Sequence, residues 1–162
     1  MLRRRRRSLD EQPTNPCEVL LASDGRKGFS QRAVAQAAAL SNAAPVAVVT
    51  IAKVYGTQFG FPHPGLLPTK QEMTERSVWV EDAIRKLQRL GVEADGQIAA
   101  TRKGRKKIAA IARLRGVHVV VIDETESTGL RRLIEGDLGK ELRRTLRGDG
   151  ITVEVIPAHA EK

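Results

Sequence analysis

With 162 residues and 41% hydrophobic side chains, the chain suits one domain with one packed core. Aromatic residues make up only 3%, so Val, Ile, Leu and Ala must fill that core, as they do in layered α/β domains. No apolar run approaches the ~20 residues of a membrane-spanning helix, and the polar, Pro-containing stretch Ser8 to Pro16 after the basic start argues against a secretory signal.

Arg3 to Arg7 supply five of the nine net positive charges. A block of like charges repels itself and buries nothing, so residues 1–16 read as a disordered tail. A single domain over 17–158 and a short tail at 159–162 follow. The Arg block suits an anionic partner, nucleic acid or lipid surface, through counterion release. It carries no interleaved aromatic for base stacking, and a merely solvated tail is the competing reading. Cys17 is the only cysteine, so no intramolecular disulfide can form. One Cys with three scattered His makes no zinc set, no metal is expected, and a reducing, cytoplasmic setting is the simplest reading. Cys17 reads as a small residue entering the first strand.

Glu18 to Ser23 has the short apolar run of a buried strand. Asp24-Gly25-Arg26-Lys27-Gly28 breaks it. Ser30 is an N-cap for a helix running to about Ala43, with Ala33, Val34, Ala37, Ala38 and Leu40 on one face. Val46 to Ile51 is the second strand. Lys53 to Thr69 is a long irregular loop with repeated Gly and Pro, holding Tyr55, Phe59, Phe61 and His63. It reads as a lid, a partner contact or a self-packed surface loop.

Lys70 to Leu90 is a helix, with Met73, Val80, Ile84 and Leu87 at helical steps and Gly91 as its cap. Trp79 lies off that stripe. Val92 to Ala100 is a strand weakened by Asp95-Gly96. Gly104 to Arg115 is a helix burying Ile108, Ala109, Ile111 and Ala112, capped by Gly116. Val117 to Ile122 is the strongest strand in the chain, with His118 inside it. A polar loop from Asp123 to Gly129 leads to a helix from about Arg132 or Gly136 to Arg147. Ile151 to Ile156 is the last strand, closed by Pro157.

Alternating strands and helices imply right-handed crossovers and a parallel sheet. The expected fold is α/β: a doubly wound five-stranded parallel sheet of order 3-2-1-4-5 with helices on both faces. Ligands bind such sheets where the winding reverses, at the carboxyl ends of strands. Here that point lies between the first and fourth strands, whose loops begin at Asp24 and Asp123.

The opening strand ending Ala22-Ser23-Asp24-Gly25 before an Ala-rich helix resembles that of universal stress proteins. So do Ile108-Ala109-Ala110-Ile111-Ala112 ahead of the fourth strand and the final strand ending at Pro157. The resemblance spans about Glu18 to Pro157. It implies a regulatory binding protein for ATP or another adenine nucleotide. Asp24 matches the position that contacts adenosine, with Ala22 and Ser23 lining the same mouth and the backbone near Ile51 meeting adenine.

The resemblance also implies a phosphate loop of pattern G-x2-G-x9-G-[ST]. Gly129 and Gly139 match its second and third glycines, while Glu126 replaces the first and Lys140 the Ser/Thr. A carboxylate near phosphate is repulsive. The lost hydroxyl removes about 1–2 kcal/mol, and Lys140, with Arg131 and Arg132 nearby, offers positive charge instead. The residues have other readings. Asp24 serves equally as a cap for the turn and the first helix, Gly129 and Gly139 as turn and packing glycines, and Lys140 as a solvated charge.

No nucleophile elbow, Ser–His–Asp set or Walker loop occurs, so the expected function is binding rather than turnover. The resemblance further implies a homodimer through the strand Ile151 to Ile156. The alternative function is a nucleotide-free adapter, using the Arg tail, the basic run Arg102 to Lys107 and the long loop against an acidic partner, nucleic acid or membrane surface.

Overall fold

The computed structural model describes residue 9 and residues 12–54, 67–124 and 137–157. Five strands, β1 Val19–Ser23, β2 Val46–Lys53, β3 Ala94–Thr101, β4 Val119–Asp123 and β5 Thr152–Ile156, form one sheet. The order is β3-β2-β1-β4-β5, and every pair is parallel. The doubly wound sheet read from the sequence is the one observed. Among the described residues, four α-helices accompany it: α1 Gln31–Leu40, α2 Lys70–Arg89, α3 Gly104–Arg115 and α4 Leu138–Leu146. A 3-10 turn, Arg147–Asp149, follows α4.

Successive side chains of a strand point to opposite faces, so each apolar strand feeds two cores. Leu20, Ala22, Val49, Ile51, Val120 and Ile122 face Ile108, Ile111, Leu142 and Leu146 of α3 and α4. Val19, Leu21, Val46, Val48 and Val121 face Val34, Val80 and Leu87 of α1 and α2. Burial on both faces explains why β1 and β2 read as continuous apolar runs rather than alternations.

Local chemistry sets the helix starts. The Ser30 hydroxyl accepts from the Ala33 amide, and Thr69 and Glu72 make a reciprocal capping box on α2. Asp137 accepts from the Lys140 amide. The last helix therefore begins at Leu138, because Asp137 is already extended as its cap. The stretch from Arg132 to Gly136 lies outside the described residues.

Part of the expected tail touches the domain: Pro13 is buried, and Asn15, itself exposed, lends its carbonyl to Arg115. Arg115 is only 1% exposed. Its guanidinium grips both Asp95 carboxylate oxygens at 2.9 and 2.6 Å, and its Nε donates to the Asn15 carbonyl. A buried charge needs acceptors on all its donors, and Asn15 supplies one. Burial alone would lower the Arg115 pKa, but the Asp95 hydrogen bonds and charge outweigh it and raise the pKa. Farther out, the Leu9 carbonyl accepts from the Ile98 amide. Cys17 is buried beside this pair; burial pushes its thiol pKa up against the pull of Arg115, so the unreactive thiol form is favoured. Arg3 to Arg7 and residues 158–162 lie outside the described residues.

Candidate functional site

The winding reverses between β1 and β4, and the segments leaving those strands meet there. Ser23, at the end of β1, organises its own loop. Its hydroxyl accepts from the Gly25 amide at 3.1 Å and donates to the Lys27 carbonyl at 3.0 Å. Asp24 follows with a side chain 23% exposed, and its Oδ1 accepts from the Arg26 amide at 3.0 Å. Asp24 thus caps its turn as one reading has it, but not the first helix, whose cap is Ser30; its second carboxylate oxygen lies toward Arg26 Nε at 3.5 Å.

Gly25 explains the shape of the mouth. Its φ is +86°, and a Cβ there would stand 1.8 Å from the Ile51 carbonyl oxygen. Only glycine lets the loop rest on the end of β2. Asp24 and the Ile51 backbone, separated in sequence, are thereby brought together. Arg76 of α2 holds the loop from outside, donating to the Gly25 carbonyl at 2.7 Å. Its guanidinium lies 5.1 Å from the centroid of Trp79, whose ring packs on Gly28. Trp79, off the apolar stripe of α2, thus serves the loop. Thr50, the register partner of Ser23, is fully buried, and its hydroxyl has no hydrogen-bond partner among the described residues.

At the other side of the mouth, Asp123 ends β4. Its carboxylate accepts from both the amide and the hydroxyl of Ser30, at 2.9 and 2.5 Å. The amino end of α1 thus already holds a carboxylate. This contact escapes sequence reading because its partners are 93 residues apart; the placement of Asp123 at a strand end was its only signal. Glu124 donates its amide to the Ile156 carbonyl at 2.8 Å, tying the exit of β4 to the end of β5.

The phosphate-loop positions divide. Gly129 and Glu126 lie outside the described residues, as do Arg131 and Arg132. Gly139, in the first turn of α4, sits on β5: a Cβ there would meet Val155 at 2.6 Å. Its packing reading holds in the structure. Lys140 is exposed in that same turn. Arg105, in the first turn of α3, reaches Glu141 at 3.8 Å, so the amino ends of α3 and α4 adjoin. Gly104 packs toward the Ile51 side chain. Two strand spacings, roughly 10 Å, separate β1 from β5. Asp24, Ile51, Gly139 and Lys140 therefore share the carboxyl pole of the sheet, with carboxylates toward α1 and cations toward α3 and α4. Most of the long loop, residues 55–66, lies outside the described residues. Among the described residues, no group of three or more His, Cys, Asp or Glu could hold a metal ion, and no helix is long and apolar enough to cross a membrane.

No protein-family profile matches the sequence, and no curated protein matches it significantly. The fold does have solved counterparts. Universal stress protein UspA from Lactobacillus plantarum aligns with a TM-score of 0.60 at 14% identity, over 87% of this chain and 98% of that one. The universal stress protein from Archaeoglobus fulgidus, in complex with dAMP, gives 0.54 at 16% identity over 87% and 96%. A universal stress protein in complex with cAMP gives 0.58 at 13% identity over 90% and 98%. The chain has the universal-stress-protein fold.

Proposed function

We propose that this chain is a regulatory binding protein of the universal-stress-protein type, whose site for an adenine nucleotide is the mouth between β1 and β4. The observation that carries the reading is the convergence of Asp24 with the Ile51 backbone at the reversal of winding. Similar folds solved with dAMP and cAMP support the ligand class. Ala22, Ser23, Asp24 and Ile51 would take the adenosine half. Gly129, Gly139 and Lys140 would form the phosphate side, with Arg105 adding positive charge.

The electrostatics define a preference. Both helix amino ends that flank the mouth, those of α1 and α4, already donate amides to carboxylates, Ser30 to Asp123 and Lys140 to Asp137. Free amides are the usual holders of phosphate, and added phosphates meet the Asp123 charge. Affinity therefore rests on the adenosine half, and AMP and ATP bind with similar, modest strength. The protein acts by binding rather than turnover, in a reducing cytoplasmic setting.

Association as a two-fold dimer through Ile151 to Ile156 belongs to the same proposal. The Thr152 amide and the Ile156 carbonyl point toward β4, so Val153 and Val155 direct their backbone groups to the open edge. Arg143 already donates to the Val153 carbonyl at 3.2 Å and must yield for strands to pair.

Calorimetric titration with AMP and ATP tests the reading. Asp24→Ala should abolish binding of both. Asp123→Asn should strengthen ATP more than AMP. Binding unaffected by Asp24→Ala, or no heat at millimolar AMP, overturns it.

A further inference from the structure

We infer that the outer face of α3 and α4 is a docking surface for the phosphate backbone of duplex nucleic acid, a role separate from the nucleotide mouth. Residues 102–116 and 137–150 hold eleven Lys and Arg, ten of them outside the buried Arg115–Asp95 pair, against three Asp and Glu. The helices of the opposite face, α1 and α2, hold six against four. The domain's excess positive charge is therefore concentrated on one face of the sheet.

The fold assembles this face from segments distant in sequence. Arg105 joins Glu141 near the amino ends of α3 and α4. Arg113 joins Asp149 at 2.9 Å and reaches the Thr145 carbonyl near their carboxyl ends. These two bridges hold the helices side by side and neutralise two of the three acids. The third, Asp137, is the cap of α4. Among the described residues, Lys103, Lys106, Lys107, Arg144 and Arg147 enter no ion pair, and all but Lys107 are exposed.

The placement of charge is costly to the isolated protein. Arg105, Lys106 and Lys107 occupy the first turn of α3, which has no acidic residue, and Lys103 provides no side-chain cap. Cations at the positive end of a helix are unfavourable, and like charges packed together repel. An external polyanion relieves both effects. The other described α-helices are capped by Ser30, Thr69 and Asp137.

The chemistry of the face selects the partner. Neither α3 nor α4 contains an aromatic residue, so single-stranded bases find nothing to stack on. Leu114 is the one large exposed hydrophobic residue on α3 and α4, which gives a membrane little to bury. What remains is a row of phosphate contacts. The 12 residues of α3 extend about 18 Å, roughly five base-pair steps of a duplex.

The test is fluorescence anisotropy of a labelled 20-base-pair duplex of mixed sequence, titrated with the full chain between 50 and 200 mM salt. Lys106→Glu/Arg144→Glu/Arg147→Glu should weaken binding by about tenfold or more and flatten the logarithmic salt dependence by roughly three units. Lys70→Glu/Arg85→Glu/Arg89→Glu, on α2, makes the same change in net charge and should leave affinity within about threefold. Unchanged thermal midpoints establish that both variants fold. Equal weakening by the two variants would assign binding to net charge or to Arg3 to Arg7 and overturn the inference. So would absence of binding at 50 mM salt, or phosphatidylserine vesicles bound more tightly than the duplex.

Discussion

Ser30 and Asp123 meet across the reversal of the sheet: the side chain that caps α1 is itself held by the carboxylate that ends β4. One cluster thus joins helix initiation to the pairing of β1 with β4. Losing an N-cap costs about 1 kcal/mol, and a part-buried carboxylate deprived of a hydroxyl donor costs a similar amount. Ser30→Ala should therefore lower stability by about 2 kcal/mol in urea unfolding. A loss below about 0.5 kcal/mol would show that the cluster does not tie the two elements.

The Arg115–Asp95 pair makes a different demand. Asp95→Ala leaves a guanidinium in the interior whose remaining acceptor, among the described residues, is the Asn15 carbonyl on its Nε. Removing one member of such a pair costs about 3–5 kcal/mol; the Asp95 side chain is 34% exposed, which puts the expected loss near the lower figure. Arg115→Met, which removes the charge and keeps volume, should cost clearly less. Equal losses in chemical denaturation would assign the effect to packing alone.

Among the described residues nothing bonds the hydroxyl of Thr50, which is fully buried. An unsatisfied buried polar group costs about 1–3 kcal/mol, and valine has nearly the same shape. Thr50→Val should therefore raise stability by about 1 kcal/mol, or the melting temperature by about 2–4 °C. A lower melting temperature would mean that the hydroxyl is satisfied in solution.

Arg143 shields the open edge of β5 by holding the Val153 carbonyl. Arg143→Ala frees that carbonyl and should tighten self-association about threefold to tenfold, a gain on the scale of one hydrogen bond, measured by sedimentation equilibrium. Weaker association would place the interface elsewhere.

The elements legible in the sequence were those with strong local periodicity. The periodicity from Gly104 to Arg115 has the bounds of α3, and the strand–helix alternation leads to the observed sheet order. Boundaries moved where tertiary bonds compete. Val92 and Glu93 read as strand, yet β3 begins at Ala94, where pairing with Val46 starts. His118 read as part of the fourth strand but precedes β4, and its side chain is 74% exposed. Asp95 read as a weakness of its strand, whereas it anchors Arg115. The pairs Ser30–Asp123 and Arg76–Gly25 join residues 93 and 51 positions apart. No local pattern announces such pairs, because each depends on which strand ends the fold makes neighbours.

Amide chemical-shift mapping during titration with AMP tests the proposed mouth most directly. Shifts should concentrate at residues 22–28, around Ile51 and in the first turn of α4, and should be lost in Asp24→Ala. Shifts centred instead on the amino pole around Asp95 and Arg115, or absent at saturating AMP, would contradict it.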